Sequence, residues 1–371
     1  MKKQLRIASM VTGQFTIPPP SGIIYAPMDI ARWISEGLVK KGHCVDFFAP
    51  EGSALNLCGI KGAEIKPLRN EAPGLPILQD KHVGGGEVGK LYNLWDQYFI
   101  AKMFAAAERG EYDLLHIHPV DRALPIAFSH PKIPVVYTLH DPIYPWRTEV
   151  YRMFASPNQY YVSISDSQRL PAPDINYAAT IYNGIDLDLF PFSDTHENRF
   201  LFVGRIIPEK GVAEAVDAAR AVGAGLDIIG PPATGTYWEE RIKPYLGDQI
   251  RYIGYVPYPE LHRYYQKAKA LLVPIQWEEP FGLVMTEAMA CGTPVIGFRR
   301  GSVSEVVKDG ETGFIVDDVN GMAAAMRIVD GIDRHQCRRH VEEQFGIRTM
   351  IDAYERVFLD IVNRAQKDVN A

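Results

Sequence analysis

Short runs of Val, Ile, Leu and Phe alternate along this chain with longer segments whose apolar residues recur at helical spacing, and few folds satisfy that alternation. Runs that are apolar throughout suit strands covered on both faces, as in parallel sheets flanked by helices. The pattern predicts an α/β protein. In the first half it predicts strands at Leu5–Met10, Val45–Ala49, Leu114–Ile117, Val135–Leu139 and Tyr160–Ile164. Between the first two, Ile30, Ile34, Leu38 and Val39 mark a helix, which Lys40-Lys41-Gly42 closes as a C-terminal cap would. A second series begins at Phe200, with strands expected at Phe200–Val203, Leu226–Ile229, Ile250–Ile253, Ala270–Val273, Val295–Gly297 and Phe314–Val316. The chain has 371 residues, more than one ordinary core holds, and the polar stretch from Asn183 to Asn198 reads as a junction. The expectation is two tandem Rossmann-like, doubly wound domains, residues 1–185 and 186–346. A last helical segment in 347–371 is expected to cross back to the first. Open sheets bind ligands beyond the carboxyl ends of their strands, so the two domains are expected to face one cleft.

Charge and cysteine usage exclude several classes. The formal net charge is −6, and residues 1–190 carry 18 basic against 19 acidic side chains, so neither half is a basic platform for nucleic acid. The four cysteines, Cys44, Cys58, Cys291 and Cys337, form neither a disulfide framework nor a zinc spacing, which fits structural thiols in a reducing compartment. No apolar stretch approaches a membrane span and no signal peptide is read at the start, so a cytoplasmic protein is expected. The segment Gly84-Gly85-Gly86-Glu87-Val88-Gly89-Lys90 matches a dinucleotide fingerprint and nearly matches a P-loop. It follows no strand, and Leu91 stands where a P-loop needs Ser or Thr, so a mobile surface loop is expected.

The chemistry concentrates later. In Gln276-Trp277-Glu278-Glu279-Pro280-Phe281-Gly282-Leu283-Val284-Met285-Thr286-Glu287, a strand is followed by a tight turn and a helix start. Amides of Gly282, Leu283 and Val284 would be unpaired at the helix N-terminus, where a diphosphate binds well. Glu287 lies roughly 7.5 Å further along the helix axis, about the span from a diphosphate to the ribose of the same nucleotide. Glu279, before the helix, falls at the other end, beside a transferred sugar. Alone, the two glutamates read equally as a charge favourable to the helix dipole and a solvated side chain. Their neighbours change the weight. Gly204-Arg205-Ile206-Ile207-Pro208-Glu209-Lys210-Gly211 puts two cations on the exit loop of the second domain's first strand. They can neutralise a leaving diphosphate without a metal, although a solvated loop would look similar.

On these residues the sequence resembles retaining glycosyltransferases of family 4, the group 1 glycosyl transferases with the two-Rossmann-domain GT-B fold. The carrying motifs are G-R-x4-K-G at Gly204 to Gly211, E-x7-E at Glu279 to Glu287 with Phe281-Gly282-Leu283 inside it, and the turn Asp309-Gly310-Glu311-Thr312-Gly313-Phe314. Asn183-Gly184-Ile185-Asp186 and Gly301-Ser302-Val303-Ser304-Glu305 are also similar to the family's. The resemblance is strong over residues 180–316 and looser before them. It implies that Arg205 and Lys210 bind the donor phosphates, that Glu287 binds the ribose and Glu279 hydroxyls of the donor sugar, and that Phe281 and the helix-start residues Gly282, Leu283 and Val284 belong to the donor site. Tyr255 and Val256, in Ile253-Gly254-Tyr255-Val256, match the segment that lines the base. His118 matches the histidine that faces the anomeric centre. Strand alternation places His116 and His118 on one face, with His118 nearer the carboxyl end. His116 reads as a core histidine, and His140 also stands at a strand end. The first loop departs from the family: Pro18-Pro19-Pro20-Ser21-Gly22 replaces a Gly-Gly pair, leaving Gly22 for close approach to phosphate.

The reaction the resemblance implies is attack of an acceptor hydroxyl on the anomeric carbon of a UDP- or GDP-sugar, with net retention, no cofactor and no metal. The acceptor class, a sugar, lipid or small molecule, is left open. Asp186-Leu187-Asp188 has the spacing of a metal-holding Asp-x-Asp but stands in the junction and reads as a connector. The alternatives are a nucleotide-sugar epimerase or phosphorylase on the same scaffold, and a non-catalytic nucleotide-sugar-binding subunit.

Overall fold

A computed structural model describes residues 3–20, 25–68 and 85–370. Its contacts fall into two compact units: Met1–Ile164, Arg169–Ile181 and Met350–Ala371 in one, Ser165–Gln168 and Tyr182–Thr349 in the other. Each unit is built on one wholly parallel sheet with helices, the α/β architecture that the apolar runs predict.

The first sheet comprises β1 (Arg6–Met10), β2 (Cys44–Phe48), β3 (Gly59–Lys61), β4 (Leu114–Ile117), β5 (Val135–Thr138), β6 (Gln159–Ser163) and β7 (Tyr177–Thr180), in the order β3-β2-β1-β4-β5-β6-β7. The second comprises β8 (Arg199–Val203), β9 (Gly225–Ile229), β10 (Ile250–Gly254), β11 (Leu271–Val273), β12 (Val295–Phe298) and β13 (Gly313–Val316), in the order β10-β9-β8-β11-β12-β13. In both, the strand order reverses once, between β1 and β4 and between β8 and β11. Exit loops on either side of such a reversal diverge and leave a crevice at the carboxyl edge. The sequence predicts neither β3 nor β7. Both are edge strands with half-exposed side chains, so neither carries an apolar run.

The glycine-rich segment is also corrected. Gly85 to Lys90 form the first turns of the Gly85–Glu108 helix instead of a loop, while Gly84 and residues 69–83 lie outside the described residues. Glycine disfavours helix, but Phe99, Ile100, Met103 and Phe104 further along are wholly buried, and packing of that face carries the helix back through Gly89, Gly86 and Gly85. The stretch from Pro142 to Arg152 holds most of the Pro145–Met153 helix, with proline where the helix begins. The closing helix runs Ile347–Asn370, and from Met350 it packs in the first unit: Tyr354 and Phe358 are buried, and Lys41 pairs with both Asp352 and Glu355. Among the described residues no helix is long and apolar enough to cross a membrane.

Candidate active site

At the second sheet's reversal, the loops leaving β8 and β11 carry most of the residues singled out by sequence. Arg205 follows β8 and is exposed, and among the described residues its guanidinium has no hydrogen-bond or ion-pair partner. Lys210 lies in the one-turn helix Pro208–Lys210, which Gly211 closes in the left-handed region at φ 76°. A side chain on Gly211 would be strained there and would overlap the Pro274 carbonyl at the end of β11, so glycine is what lets the two loops approach. Lys210 reaches across to Glu279 and forms an ion pair with its Oε2, and Trp277 Nε1–H donates to the same oxygen at 2.9 Å. Glu279 is 8% exposed, so this carboxylate is held almost out of water by two donors.

The Leu283–Ala290 helix starts at Gly282, again left-handed at φ 77°. Among the described residues the amides of Gly282, Leu283 and Val284 find no acceptor, and these residues are only partly covered. Unpaired amides at a helix start favour an anion, and here a free guanidinium and an ammonium stand on the neighbouring loop. The turn is fixed from behind. Gly301 N–H donates to Glu278 Oε2 at 2.6 Å, Ser302 N–H to the Glu279 carbonyl at 3.0 Å, and Ser302 Oγ–H to the Phe281 carbonyl at 2.7 Å. Phe281 itself points into the core, 2% exposed beside the rings of Tyr182 and Phe345. Glu287 is 3% exposed, and the Tyr265 hydroxyl donates to its Oε2 at 2.7 Å. Tyr255 is exposed and Val256 nearly buried on the loop after β10. Asp186 accepts from the Asp188 amide and caps the Leu187–Leu189 turn, the role of a connector.

In the first unit, Gly22 lies outside the described residues. The loop after β1 is nonetheless anchored where it leaves the strand. Asp96, wholly buried on the Gly85–Glu108 helix, accepts from Gly13 N–H at 2.7 Å and Thr12 Oγ–H at 3.2 Å, and Arg122 pairs with it at 3.1 Å. His118 follows β4, across the strand reversal. It is 6% exposed, its Nδ1 lies 2.7 Å from His140 Nε2, and its Nε2 is buried with no partner among the described residues. His116, 1% exposed, is 2.9 Å from Thr138 Oγ1, which in turn is 2.8 Å from the Tyr354 hydroxyl. This is the satisfied core histidine that the sequence suggests. Asp96, Tyr265 and Trp277 are absent from the sequence-based list, because each acts on a residue that only folding brings near it or, for Trp277, through an orientation no motif specifies.

Burial pushes the His116 and His140 imidazoles down to about 3, and lowers that of His118 well below its ordinary value. These groups stay neutral in the fold but take up protons in the unfolded chain below about pH 6.5. Their contribution is therefore complete above that pH and is lost progressively as pH falls toward 3, by about 1.4 kcal/mol per pH unit for each such group. Denaturant unfolding between pH 7.5 and 5 is expected to show stability falling with acid, with a shallower slope in His116→Gln. Equal slopes would remove the buried histidine from the account.

The family model described as Glycosyltransferase Family 4 matches residues 31–189, and that described as Glycosyl transferases group 1 matches residues 190–344. An uncharacterized glycosyltransferase of Methanocaldococcus jannaschii is 30% identical over 168 residues, 45% of this chain and 47% of that protein, so the match spans about half of that relative. The solved sucrose-phosphate synthase of Thermosynechococcus elongatus superposes with a TM-score of 0.74 at 19% identity, over 98% of this chain and 100% of that one. An Anabaena protein, HepE, solved in complex with UDP and glucose, superposes with a TM-score of 0.64 at 17% identity, over 96% and 100% of the two chains. At such identities the two structures speak to the fold, two Rossmann-like domains of the GT-B type. With two adjoining family models across residues 31–344, and the motif residues gathered at the strand reversals, this chain belongs to the group 1, family 4-like glycosyltransferases.

Proposed function

We propose that this chain transfers a glycosyl group from a nucleoside-diphosphate sugar, a UDP- or GDP-sugar, to an acceptor hydroxyl, with net retention and without a divalent metal. What carries the reading is one observation. Among the described residues, an Arg205 guanidinium without a partner, Lys210 and three amides without acceptors stand on adjoining loops at the strand reversal, beside a nearly buried Glu279. Charge develops on the leaving diphosphate in an oxocarbenium-like transition state, and preorganised donors stabilise it best where it develops. Each charge-assisted hydrogen bond contributes about 1.5–3 kcal/mol, so two cations and the helix start supply what a metal would otherwise supply. In this reaction the bond from C1 to the diphosphate oxygen breaks as the acceptor oxygen bonds to C1. The departing oxygen takes the acceptor proton on the same face. Glu279 holds hydroxyls of the donor sugar, and Glu287, oriented by Tyr265, holds the ribose. His118 serves the reacting sugar, Gly22 serves the donor phosphates, and the acceptor is a sugar, lipid or small molecule in the cytoplasm.

The test begins with calorimetric titration of UDP, GDP and ADP. One is expected to bind at micromolar Kd, about −8 kcal/mol. Glu287→Ala should weaken that binding about tenfold or more, as expected for a lost hydrogen bond to a charged group. Turnover of the corresponding nucleotide sugar should survive exhaustive chelation. Failure of all three nucleotides to bind would overturn the donor site, and activity lost to chelation and restored by magnesium or manganese would overturn the metal-free mechanism.

A further inference from the structure

Trp277 stands two residues before Glu279, half-buried, on the turn that follows β11. Its indole N–H and the Lys210 ammonium share one oxygen of Glu279, and Lys210 Nζ also lies 4.8 Å from the centre of the Trp277 ring. Carboxylate, ammonium and indole thus close a ring of three contacts. This ring poses a conflict for any anion that arrives. An ammonium that turns toward a diphosphate loosens its hold on Glu279, and a carboxylate left nearly buried without its counter-charge is costly. Among the described residues, the one other donor on that Glu279 oxygen is the Trp277 N–H.

We propose that Trp277 is a positioning residue: its N–H holds the Glu279 carboxylate in place while Lys210 turns to the diphosphate, and its ring face keeps the ammonium within reach. The proposal rests on the donor-site reading above. The backbone of the turn does not depend on Trp277, since Gly301 and Ser302 fasten Glu278, Glu279 and Phe281 from the other side. Substitution of Trp277 therefore acts on the side chains of Glu279 and Lys210 rather than on the course of the chain.

Trp277→Phe keeps a ring face and removes the N–H, while Trp277→Leu removes both. With the nucleoside diphosphate that binds among UDP, GDP and ADP, and its glucose conjugate, Trp277→Phe is expected to lower kcat roughly ten- to a hundredfold. Its KM and its affinity for the nucleotide should stay within about twofold, because uniform binding is not what the N–H provides. Trp277→Leu should in addition weaken nucleotide binding about threefold, through loss of the cation–π contact. In the parent protein the nucleotide should change tryptophan emission as Lys210 shifts on the ring face toward the diphosphate, and that change should vanish in Trp277→Phe. An unaltered kcat in Trp277→Phe, or a fall in kcat matched by a rise in KM and a lower melting temperature, would overturn the positioning role while the donor site stands. If none of the three nucleotides binds the parent protein, the donor site fails first and Trp277 with it.

Discussion

Arg205→Ala is expected to lower turnover roughly a hundred- to a thousandfold, the usual effect of removing one preorganised donor to developing charge. The structure makes this a clean substitution. Arg205 is exposed after β8, and among the described residues nothing pairs with it, so its removal should leave the melting temperature within about 2 °C of the parent. A surface guanidinium with no structural employment, at the carboxyl end of a strand beside a sheet reversal, is placed for an anion that comes from outside. Lys210→Ala should reduce turnover as much but be less clean. It strips Glu279 of its ion-pair partner and leaves a nearly buried carboxylate on the Trp277 N–H, which destabilises the fold as well. The pair of variants thus separates binding of developing charge from support of the loop. Full activity in Arg205→Ala, measured under chelation, would remove it from the mechanism.

For His118 the expected result is a loss of at least about a hundredfold in kcat on replacement by alanine, with nucleoside-diphosphate affinity near that of the parent. The reasoning starts from an unmet hydrogen bond. Leaving a buried nitrogen without a partner costs about 1–3 kcal/mol, and among the described residues His118 Nε2 has none while Nδ1 is engaged by His140. A fold retains such a group where a ligand completes it. Burial keeps the ring neutral at physiological pH, so it can donate or accept one hydrogen bond at Nε2 but carries no charge. Because alanine also opens a cavity, His118→Asn is the companion variant, with a polar side chain and a smaller void. Folded, nucleotide-binding, inactive variants would place His118 in the chemistry. Unfolding of both would instead make it a core histidine like His116.

The residues by themselves determined the order of buried strands and the chemistry of the two loops in the second unit. These are local properties: an apolar run suffices to bury a strand, and Gly282 supplies the left-handed N-cap at which the Leu283–Ala290 helix begins. Motif spacing likewise put Arg205, Lys210, Glu279 and Glu287 on elements that the sheet order then gathered at one reversal. Only the tertiary structure decided what each group touches. Tyr265 meets Glu287 across 22 positions, Lys210 meets Glu279 across 69, and Asp96 secures Gly13 across 83. Such pairings depend on how strands are ordered in a sheet, which no local pattern encodes. The Gly85–Glu108 helix makes the same point in reverse: its glycines favour a loop, and the buried face beyond them overrides that preference. Phe281 carries the family motif, yet packing against Tyr182 and Phe345 turns its ring into the core, because an apolar side chain gains more from burial than a turn residue gains from facing a charged ligand.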